Sequence, residues 1–478
     1  MHKYIAITIG PISRITGAAV RTGALWASSY FFSYLAKRII EKFKDREFLI
    51  PIVGDKRLWS TSNGIGRFPD RYIFKSHPGD FVELKKQVTL VFDDIAEQIE
   101  AFIEPNIATK EKISEYLHHA IKVYFFEKEF SNGNVIQECN SILDLMEMQD
   151  TYNLIEPCNY LNAVFESVKL YDSFLAKDAF GNDQHENKPL FEPLEEISRK
   201  EYKELINKKM LRHNYIAIIS ADVDNMGVFN STASLEEIIA MNSKMLEFGE
   251  AIINPDNEQT LDKEYGARIV FIGGDDLLIF SPVTYNRKTV FDLVDKISDL
   301  FDRVMSSPKA SNNPTLSFGI SITYYKFPMG EALSMSEKEL KKSKSFSGKN
   351  MVSFSLQKHS GQTFCANLKK GNPIFKQFIT LVNGYKEDEN KLLSSTIYWL
   401  ENNRQVLSII LDGDRNRERL ENYFENSFDE PIHDSVQPFF NDLKDFLIKT
   451  HKTENDAIGM LVSALRFTHF IKTDSHEI

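Results

Sequence analysis

Cysteine is scarce in this 478-residue chain, which contains only Cys139, Cys158 and Cys365. Three well-separated thiols cannot build a disulfide framework, nor can they supply the four thiolates of a structural zinc site within one chain. Because free cysteine is usually buried, the sequence predicts three buried, reduced thiols.

Long apolar runs and excess positive charge are also missing. No stretch approaches the roughly 20 apolar residues that cross a bilayer, and the apolar run at residues 4–9 is too short for a signal peptide. The sequence therefore predicts a cytoplasmic protein without membrane contact. The net charge of −11 excludes a general positive field for nucleic acid, so any RNA contact must come from local basic patches or from partner subunits.

Two segments of the chain follow the same long-range plan. The first begins with an apolar strand at residues 3–10 and a long helix at 21–43. Two short strands at 48–53 and 70–74, a helix at about 81–103 and a strand within 120–130 complete it. The order strand–helix–strand–strand–helix–strand is the ferredoxin-like pattern.

The second copy is clearer and begins with a strand at 211–224 that ends in acidic residues. A helix at 234–253 follows, opened by a Ser-x-x-Glu capping box, and then two almost wholly apolar strands at 267–272 and 277–282. A further helix, strand, helix and strand close the unit. The intervening and C-terminal segments have helical patterns, so we expect an α+β protein.

The expected division is into four domains. These are a first ferredoxin-like domain (1–130), a helical spacer (131–208), a second ferredoxin-like domain (209–358) and a C-terminal helical domain (359–478).

The sharpest motif is Gly273-Gly274-Asp275-Asp276, which lies between two apolar strands. Taken alone it is equally typical of an ordinary tight hairpin. However, Asp222 and Asp224 end the first strand of the same unit, and that strand lies beside the hairpin in a ferredoxin-like sheet. Carboxylates brought together in this way are the ligands that Mg²⁺ prefers, with waters and substrate phosphates completing its shell. Mn²⁺ is the alternative ion.

A basic turn forms the third part of the constellation. Lys344 and Lys349 flank a Ser/Gly turn at the end of a helix, where ammonium groups and backbone amides can hold a triphosphate. The alternative is a solvated basic helix terminus favoured by the helix dipole.

These motifs resemble the palm domain of the large polymerase-like subunit of type III CRISPR effector complexes, which is related to nucleotide cyclases. The motifs are ADVDNMG (221–227), GGDD (273–276), LSFGISI (316–322) and SKSFSGKN (343–350). Residues 9–35 and 66–74 resemble the degenerate first palm of the same subunit. The resemblance implies two ferredoxin-like palms with interspersed and C-terminal helical domains.

The resemblance also implies an activity, namely target-RNA-activated synthesis of an adenylate second messenger from ATP for antiviral defence. Its catalytic metal ligands would be Asp222, Asp275 and Asp276. Its nucleotide-contacting residues would be Asn225, Gly273, Gly274, Lys344 and Lys349. Guide RNA, target RNA and the other effector subunits would be its partners.

Two features common in the family are missing from this sequence. It opens at the first strand of the first palm, so no N-terminal HD nuclease domain is expected, and three cysteines cannot reproduce the family's four-cysteine zinc finger. DNA cleavage is therefore not expected.

The sequence does not determine the identity of the product. Either a cyclic oligoadenylate or a conjugate of ATP with S-adenosylmethionine is compatible with the motifs. Two alternatives to the proposed enzyme also remain, a catalytically idle scaffold subunit and a diguanylate cyclase-like enzyme.

Overall fold

The computed structural model describes most of the chain. The described residues are 2–59, 64–104, 107–130, 134–148, 159–181, 191–204, 210–253, 260–306, 314–370, 373–384, 390–428, 430–452 and 456–473.

The first palm contains a four-stranded sheet with helices on its faces. In chain order its elements are β1 (His2–Gly10), α1 (Ile12–Thr16), α2 (Thr22–Ile40), β2 (Phe48–Ile50), β3 (Arg71–Lys75), α3 (Asp80–Phe102), α4 (Lys110–Ala120) and β4 (Lys122–Phe130). The strand order β2-β3-β1-β4 is that of a ferredoxin-like sheet, as the sequence pattern predicts.

A helical spacer follows, in which the described helices are short apart from the first. They are α5 (Val135–Met148), α6 (Tyr160–Phe165), α7 (Phe174–Phe180), α8 (Leu194–Ser198) and α9 (Lys200–Glu204). The first of them packs on β1 and β4, and α8 packs on the second sheet. The domain boundary expected at 208–209 and the thiol of Cys158 lie outside the described residues.

The second palm is larger and contains the acidic motif. Its elements are β5 (Tyr215–Val223), α10 (Met226–Thr232), α11 (Leu235–Ile253), α12 (Leu261–Tyr265), β6 (Arg268–Gly273), β7 (Asp276–Pro282), β8 (Thr284–Tyr285), β9 (Lys288–Thr289), α13 (Val290–Met305), β10 (Leu316–Tyr324), α14 (Met329–Ser345), β11 (Met351–Gln357) and β12 (Thr363–Lys369). The six-stranded sheet has the order β12-β11-β10-β5-β7-β6, so its β10-β5-β7-β6 half repeats the ferredoxin-like order. The two-palm α+β fold is confirmed.

The sheet extends further along the chain than the sequence pattern indicated. We expected the palm to end at 358, with helical structure after about 366, but β12 pairs antiparallel with β11 over Thr363–Lys369. Its buried positions, Phe364, Ala366 and Leu368, alternate with more exposed ones, which is the period of an edge strand with one covered face.

The C-terminal domain is helical, as predicted. Its helices are α15 (Pro373–Gly384), α16 (Asn390–Asn402), α17 (Arg404–Asp412), α18 (Asn416–Glu425), α19 (Glu430–His451) and α20 (Ala457–Lys472). The last of them packs on β12 as well as on α15 and α16. Across the described residues, no helix combines the length and apolarity needed to span a membrane.

The two palms share a hydrophobic core. Helix α2 is buried along most of its length, including Trp26 and Phe31, and it packs both on the first sheet and against β6. One face of the second sheet, including Ile218 and Phe280, belongs to the same core cluster as α2. The alternate face of β5, including Ile219, packs instead on α11 and α13. The palms are therefore joined by apolar packing as well as by the chain.

The prediction of buried cysteines holds for one of the two described thiols. Cys139 is buried in the core, where burial raises the pKa of its thiol to about 12. Cys365 is exposed on β12, because it occupies an outward position of the edge strand that the sequence pattern missed.

Candidate active site

The acidic residues of the second palm meet where three strands end. Antiparallel pairing of β5 with β7 places Asp222 directly opposite Asp276, and pairing of β6 with β7 places Gly273 opposite Asp276. The backbone N–H of Val223 donates to the carbonyl oxygen of Asp275 at 3.2 Å. The structure therefore brings together the three carboxylates that the sequence motifs selected.

The hairpin between β6 and β7 turns in two residues, Gly274 and Asp275. Gly274 has a φ of +59°, a left-handed conformation that costs glycine little and most other residues more. A side chain at Gly273 or Gly274 would meet no atom within 4 Å. The absence of a Cβ thus leaves open space against the backbone beside the carboxylates.

Burial and like charge both act on the two turn aspartates. Desolvation by the surrounding protein raises the pKa of Asp276 to about 7, and the neighbouring charges of Asp275 and Asp222 add to this increase. Desolvation, followed by the charge of Asp222, also raises the pKa of Asp275. A positive charge placed between these groups would therefore be strongly favoured.

A lysine already supplies part of that positive charge. The ammonium group of Lys344, at the end of α14, forms an ion pair with the carboxylate of Asp222 and lies 3.5 Å from the carbonyl oxygen of Val223. Its charge opposes the rise in the pKa values of both turn aspartates. The structure thus places Lys344 at the acidic edge, and its contact with nucleotide phosphates remains a prediction.

Close packing of α14 on β10 determines where Lys344 lies. A Cβ at Gly319 of β10 would overlap the backbone nitrogen of Leu340 and the carbonyl oxygen of Ser336, so only glycine allows this approach. Next to Lys344, the buried hydroxyl of Ser343 donates to the carbonyl oxygen of Phe318 at 2.6 Å. This packing explains the glycine of the LSFGISI motif.

The structure places two predicted residues farther from the carboxylates. Asn225 is exposed at the start of α10 with a φ of +63°, and its side chain does not line the cleft described below. Lys349 lies in the turn that follows α14, with a φ of +45°. Among the described contacts, its side chain makes none with the three aspartates. Both assignments remain predictions.

A cleft of about 970 Å³ separates the two palms in front of the carboxylates. Its second-palm wall contains all four residues of the Gly273–Asp276 motif. Its first-palm wall contains residues from the end of β1, from α2 and from the segment before β3. These first-palm residues include Gly10, Pro11, Ser29, Ser33, Phe68, Pro69 and Asp70.

The sequence reading did not identify the charged residues of the first-palm wall. Asp70 lies across the cleft from the motif, close enough for its charge to raise the pKa values of Asp275 and Asp276. Lys122 and Glu147 also line the cleft, and Glu147 accepts a hydrogen bond from Arg71 at 3.0 Å. Asp70 follows the first-palm segment GRFP, so its place just before a strand was the available signal.

The acidic edge fits a divalent cation that takes few of its ligands from the protein. Among the described residues, no group of three or more His, Cys, Asp or Glu side chains converges as a complete metal site. Asp222 and Asp276 nevertheless face each other across paired strands, and the pKa of Asp276 is raised by adjacent negative charge. Mg²⁺ commonly takes one or two carboxylates, with waters and substrate phosphates as its other ligands, and the residues fit that mode.

Comparison with protein families matches both palms. Residues 215–353 match the family described as Cas10/Cmr2, second palm domain, and residues 4–122 match the family described as CRISPR-associated protein Cmr2, N-terminal. Together these segments make up more than half of the sequence. The chain belongs to the Cas10/Cmr2 family.

Solved structures share the fold at low sequence identity. A Csm1-Csm4 cassette in complex with cA4 matches with a TM-score of 0.55 and 12% identity, covering 98% of this chain and 70% of the other. A cassette in complex with pppApApA matches at 0.53 and 12%, covering 98% and 69%. A type III-B Cmr-beta structure in the apo state matches at 0.50 and 10%, covering 86% and 76%. Comparison with curated protein sequences gives no match.

Proposed function

We propose that this chain is the nucleotidyltransferase subunit of a cytoplasmic type III CRISPR effector complex, which makes an adenylate second messenger from ATP when the complex binds target RNA. Its partners would be guide RNA, target RNA and the other effector subunits. One observation carries the proposal: Asp275 and Asp276, whose pKa values burial and like charge raise, line an inter-palm cleft large enough for nucleotides, and Asp222 pairs with Asp276 at its edge.

In this proposal the acidic edge holds the catalytic cation. Asp222, Asp275 and Asp276 would bind Mg²⁺, or Mn²⁺, which supplies charge neutralisation for phosphoryl transfer. The open backbone at Gly273 and Gly274 would admit the nucleotide, Lys344 and Lys349 would neutralise its phosphates, and Asn225 would lie at the edge of the site. The proteins that share this fold include Csm1-Csm4 cassettes in complex with ATP, AMPPNP and cA4, which agrees with a nucleotide substrate.

The first-palm wall bears on the acceptor of the adenylate group. Burial raises the pKa of Asp70, and its ionised carboxylate adds negative charge to the cleft, whereas the charge of Glu147 on α5 is shared with Arg71. A second ATP carries a polyanionic triphosphate that this wall would repel, apart from any contact with Lys122. The sulfonium and ammonium groups of S-adenosylmethionine are cations that Asp70 would attract. This observation favours the conjugate of ATP with S-adenosylmethionine over a cyclic oligoadenylate.

Mass spectrometry of reaction products tests both levels of the proposal. The chain would be assembled with its effector subunits and guide RNA, and incubated with target RNA, ATP and Mg²⁺, with and without S-adenosylmethionine. An AMP conjugate that requires S-adenosylmethionine is the expected product, and Asp70→Asn should reduce its formation. Cyclic adenylates in both reactions would keep the enzyme but overturn the acceptor.

The two alternatives give different outcomes in the same experiment. A verified, target-bound complex without any nucleotide product would support the idle scaffold. Turnover of GTP in preference to ATP would support the diguanylate cyclase-like enzyme. A target RNA that does not pair with the guide serves as the matched control for activation.

A further inference from the structure

Asp224 lies two residues beyond Asp222, yet it occupies a different environment. Asp222 ends β5 facing Lys344 and the turn aspartates. Asp224 follows the end of that strand and is only 3% exposed. Its charge is not among those that raise the pKa values of Asp275 and Asp276, whereas the charge of Asp222 raises both. The two carboxylates of the Asp-Val-Asp motif therefore lie in different environments.

One oxygen of Asp224 joins three parts of the second palm. Its Oδ2 accepts hydrogen bonds from the Thr315 hydroxyl at 2.7 Å, the Ser317 hydroxyl at 2.8 Å and the backbone N–H of Asn350 at 3.0 Å. Its own backbone N–H donates to the carbonyl oxygen of Thr315 at 2.7 Å. A single carboxylate thus ties the end of β5 to the start of β10 and to the residue before β11.

The third of these contacts fixes the turn at residues 346–350, which links α14 to β11. Within it, Gly348, Lys349 and Asn350 have φ values of +75°, +45° and +55°. Residues with a Cβ populate this region sparsely, so the turn depends on bonds from its surroundings. The Asn350 N–H bond to Asp224 is one such bond, and the Lys370 N–H bond to the Asn350 carbonyl oxygen, at 2.9 Å, is another.

The second bond comes from a buried lysine that also faces Asp224. The ammonium group of Lys370 donates to the Ser298 hydroxyl at 2.7 Å and lies 4.7 Å from the ring centroid of Phe318. It is within electrostatic range of Asp224 and Asp302. Buried carboxylates require hydrogen bonds or opposite charge, and Asp224 has both.

We infer that Asp224 is a positioning residue, which holds the turn that contains Lys349 at a fixed place relative to the end of β5 without binding the metal itself. The inference rests on the proposed function, because it assigns the turn to the phosphates of ATP. Asp222 and Asp224 then have different roles at the end of β5. Asp222 would bind the metal ion, whereas Asp224 anchors the turn after α14, which contains Lys349.

Kinetics of the assembled complex separate these two roles. The variants are Asp224→Ala, Asp224→Asn, Asp222→Asn and the control Asp302→Asn, which removes a charge near Lys370 without touching the turn. Asp224→Ala should raise the KM for ATP about tenfold, the scale of a lost charge-assisted hydrogen bond, while kcat changes less than about threefold. Asp224→Asn keeps an oxygen acceptor and should recover most of that loss.

The Mg²⁺ dependence of turnover distinguishes a metal ligand from a positioning residue. Asp222→Asn should raise the half-saturating Mg²⁺ concentration, whereas Asp224→Ala should leave it at the wild-type value. An Asp224→Ala complex whose Mg²⁺ requirement rises with that of Asp222→Asn would overturn the inference, as would an unchanged KM for ATP. If Asp224→Ala fails to assemble, Thr315→Val and Asp224→Asn are compared in the same way, because Thr315→Val removes one bond to the anchor.

Hydrogen exchange tests the anchor independently of the reaction. The Asn350 amide should exchange slowly in the wild-type complex and at least about tenfold faster in Asp224→Ala or Thr315→Val. If no nucleotide product forms with wild type but this difference is found, the proposed function fails while the anchor stands. If the exchange rate is unchanged, the positioning role is wrong whatever the complex catalyses.

Discussion

The ammonium group of Lys344 is ion-paired with the carboxylate of Asp222, although these residues lie 122 positions apart along the chain. The pair exists because α14 lies directly against Gly319 of β10, the strand that pairs with β5. It counters part of the negative charge that Asp275 and Asp276 add to the same edge. One protein cation, Lys344, therefore neutralises only part of the charge at this edge. The remaining carboxylate charge is available to a bound metal ion.

Replacement of the turn aspartates should remove catalysis and not assembly. Asp275→Ala and Asp276→Ala should each lower nucleotide turnover by at least about 100-fold, the scale seen when charge stabilisation is removed from an active site. Both side chains face the cleft, so co-purification with the effector subunits should be unaffected. Undiminished turnover in both variants would exclude these carboxylates from the reaction.

Asp276→Asn should at the same time make the folded chain more stable at alkaline pH. The pKa of Asp276 is raised to about 7, so the folded state binds more protons than the unfolded state between its ordinary value and about 7. Stability therefore falls as the pH rises through that interval. Thermal unfolding at pH 5 and pH 8 should show a smaller decrease for Asp276→Asn than for wild type, and an equal decrease would contradict the assignment.

Loss of the Lys344 charge should weaken activity in a pH-dependent manner. Lys344 lowers the pKa values of Asp275 and Asp276, so Lys344→Met should leave more of these groups protonated at pH 7. We expect turnover to fall about 10- to 100-fold at pH 7 and to recover partly at pH 8.5. Lys342→Met, on the same helix, is the control and should retain wild-type rates at both pH values.

A second pH effect should come from a buried ion cluster remote from the cleft. Burial alone would raise the pKa of Glu201, but hydrogen bonds from His213 and Thr284 and the charge of Arg212 lower it to about 2. The cluster therefore stabilises the fold fully above the ordinary value of 4.5, and this contribution is lost as the pH falls from there to about 2.

Chemical denaturation of Glu201→Gln measures this contribution. The variant should lose about 3 kcal/mol of unfolding free energy at pH 7, and its difference from wild type should shrink at pH 3. A difference that stays constant between these two pH values would show that the ionisation of Glu201 is not its source.

Gly319→Ala should destabilise the second palm. The new methyl group would overlap backbone atoms of α14, which cannot move without displacing Lys344. We expect a loss of about 1–3 kcal/mol in thermal or chemical unfolding, together with reduced turnover. Gly227→Ala is the matched control, because its Cβ would meet no atom within 4 Å and should leave stability nearly unchanged.

The sequence predicted much of the fold and the second-palm half of the cleft. Apolar periodicity located the strands of both sheets apart from β12, and the capping box at Ser234 is present, with the backbone N–H of Ser234 bonded to Glu237 at 2.8 Å. The ferredoxin-like order predicted that the first strand of the second palm lies beside the hairpin, as the pairing of β5 with β7 shows. These features are local patterns or consequences of a known topology, which is why they could be predicted.

The remaining features depend on contacts between distant segments. Asp70 becomes part of the cleft only because α2 and the first sheet pack against the second palm, and its position just before a strand does not by itself predict that contact. Asp224 has the same residue type and strand end as Asp222, but its direction is set by donors at Thr315, Ser317 and Asn350. Buried and more exposed residues alternate along β12, but the small side chain of Ala366 weakens the apolar pattern by which the sequence would predict a strand.

The packing of α2 across both sheets limits how this protein can be divided. Excision of residues 209–358 would strip Ile216, Ile218, Val270, Leu278 and Phe280 of their covering helix, and such an apolar surface promotes aggregation. The acidic palm therefore cannot be expected to serve as a portable module in engineered fusions. The first palm therefore serves the second as a permanent apolar cover, which gives a physical reason for the two palms to remain in one chain.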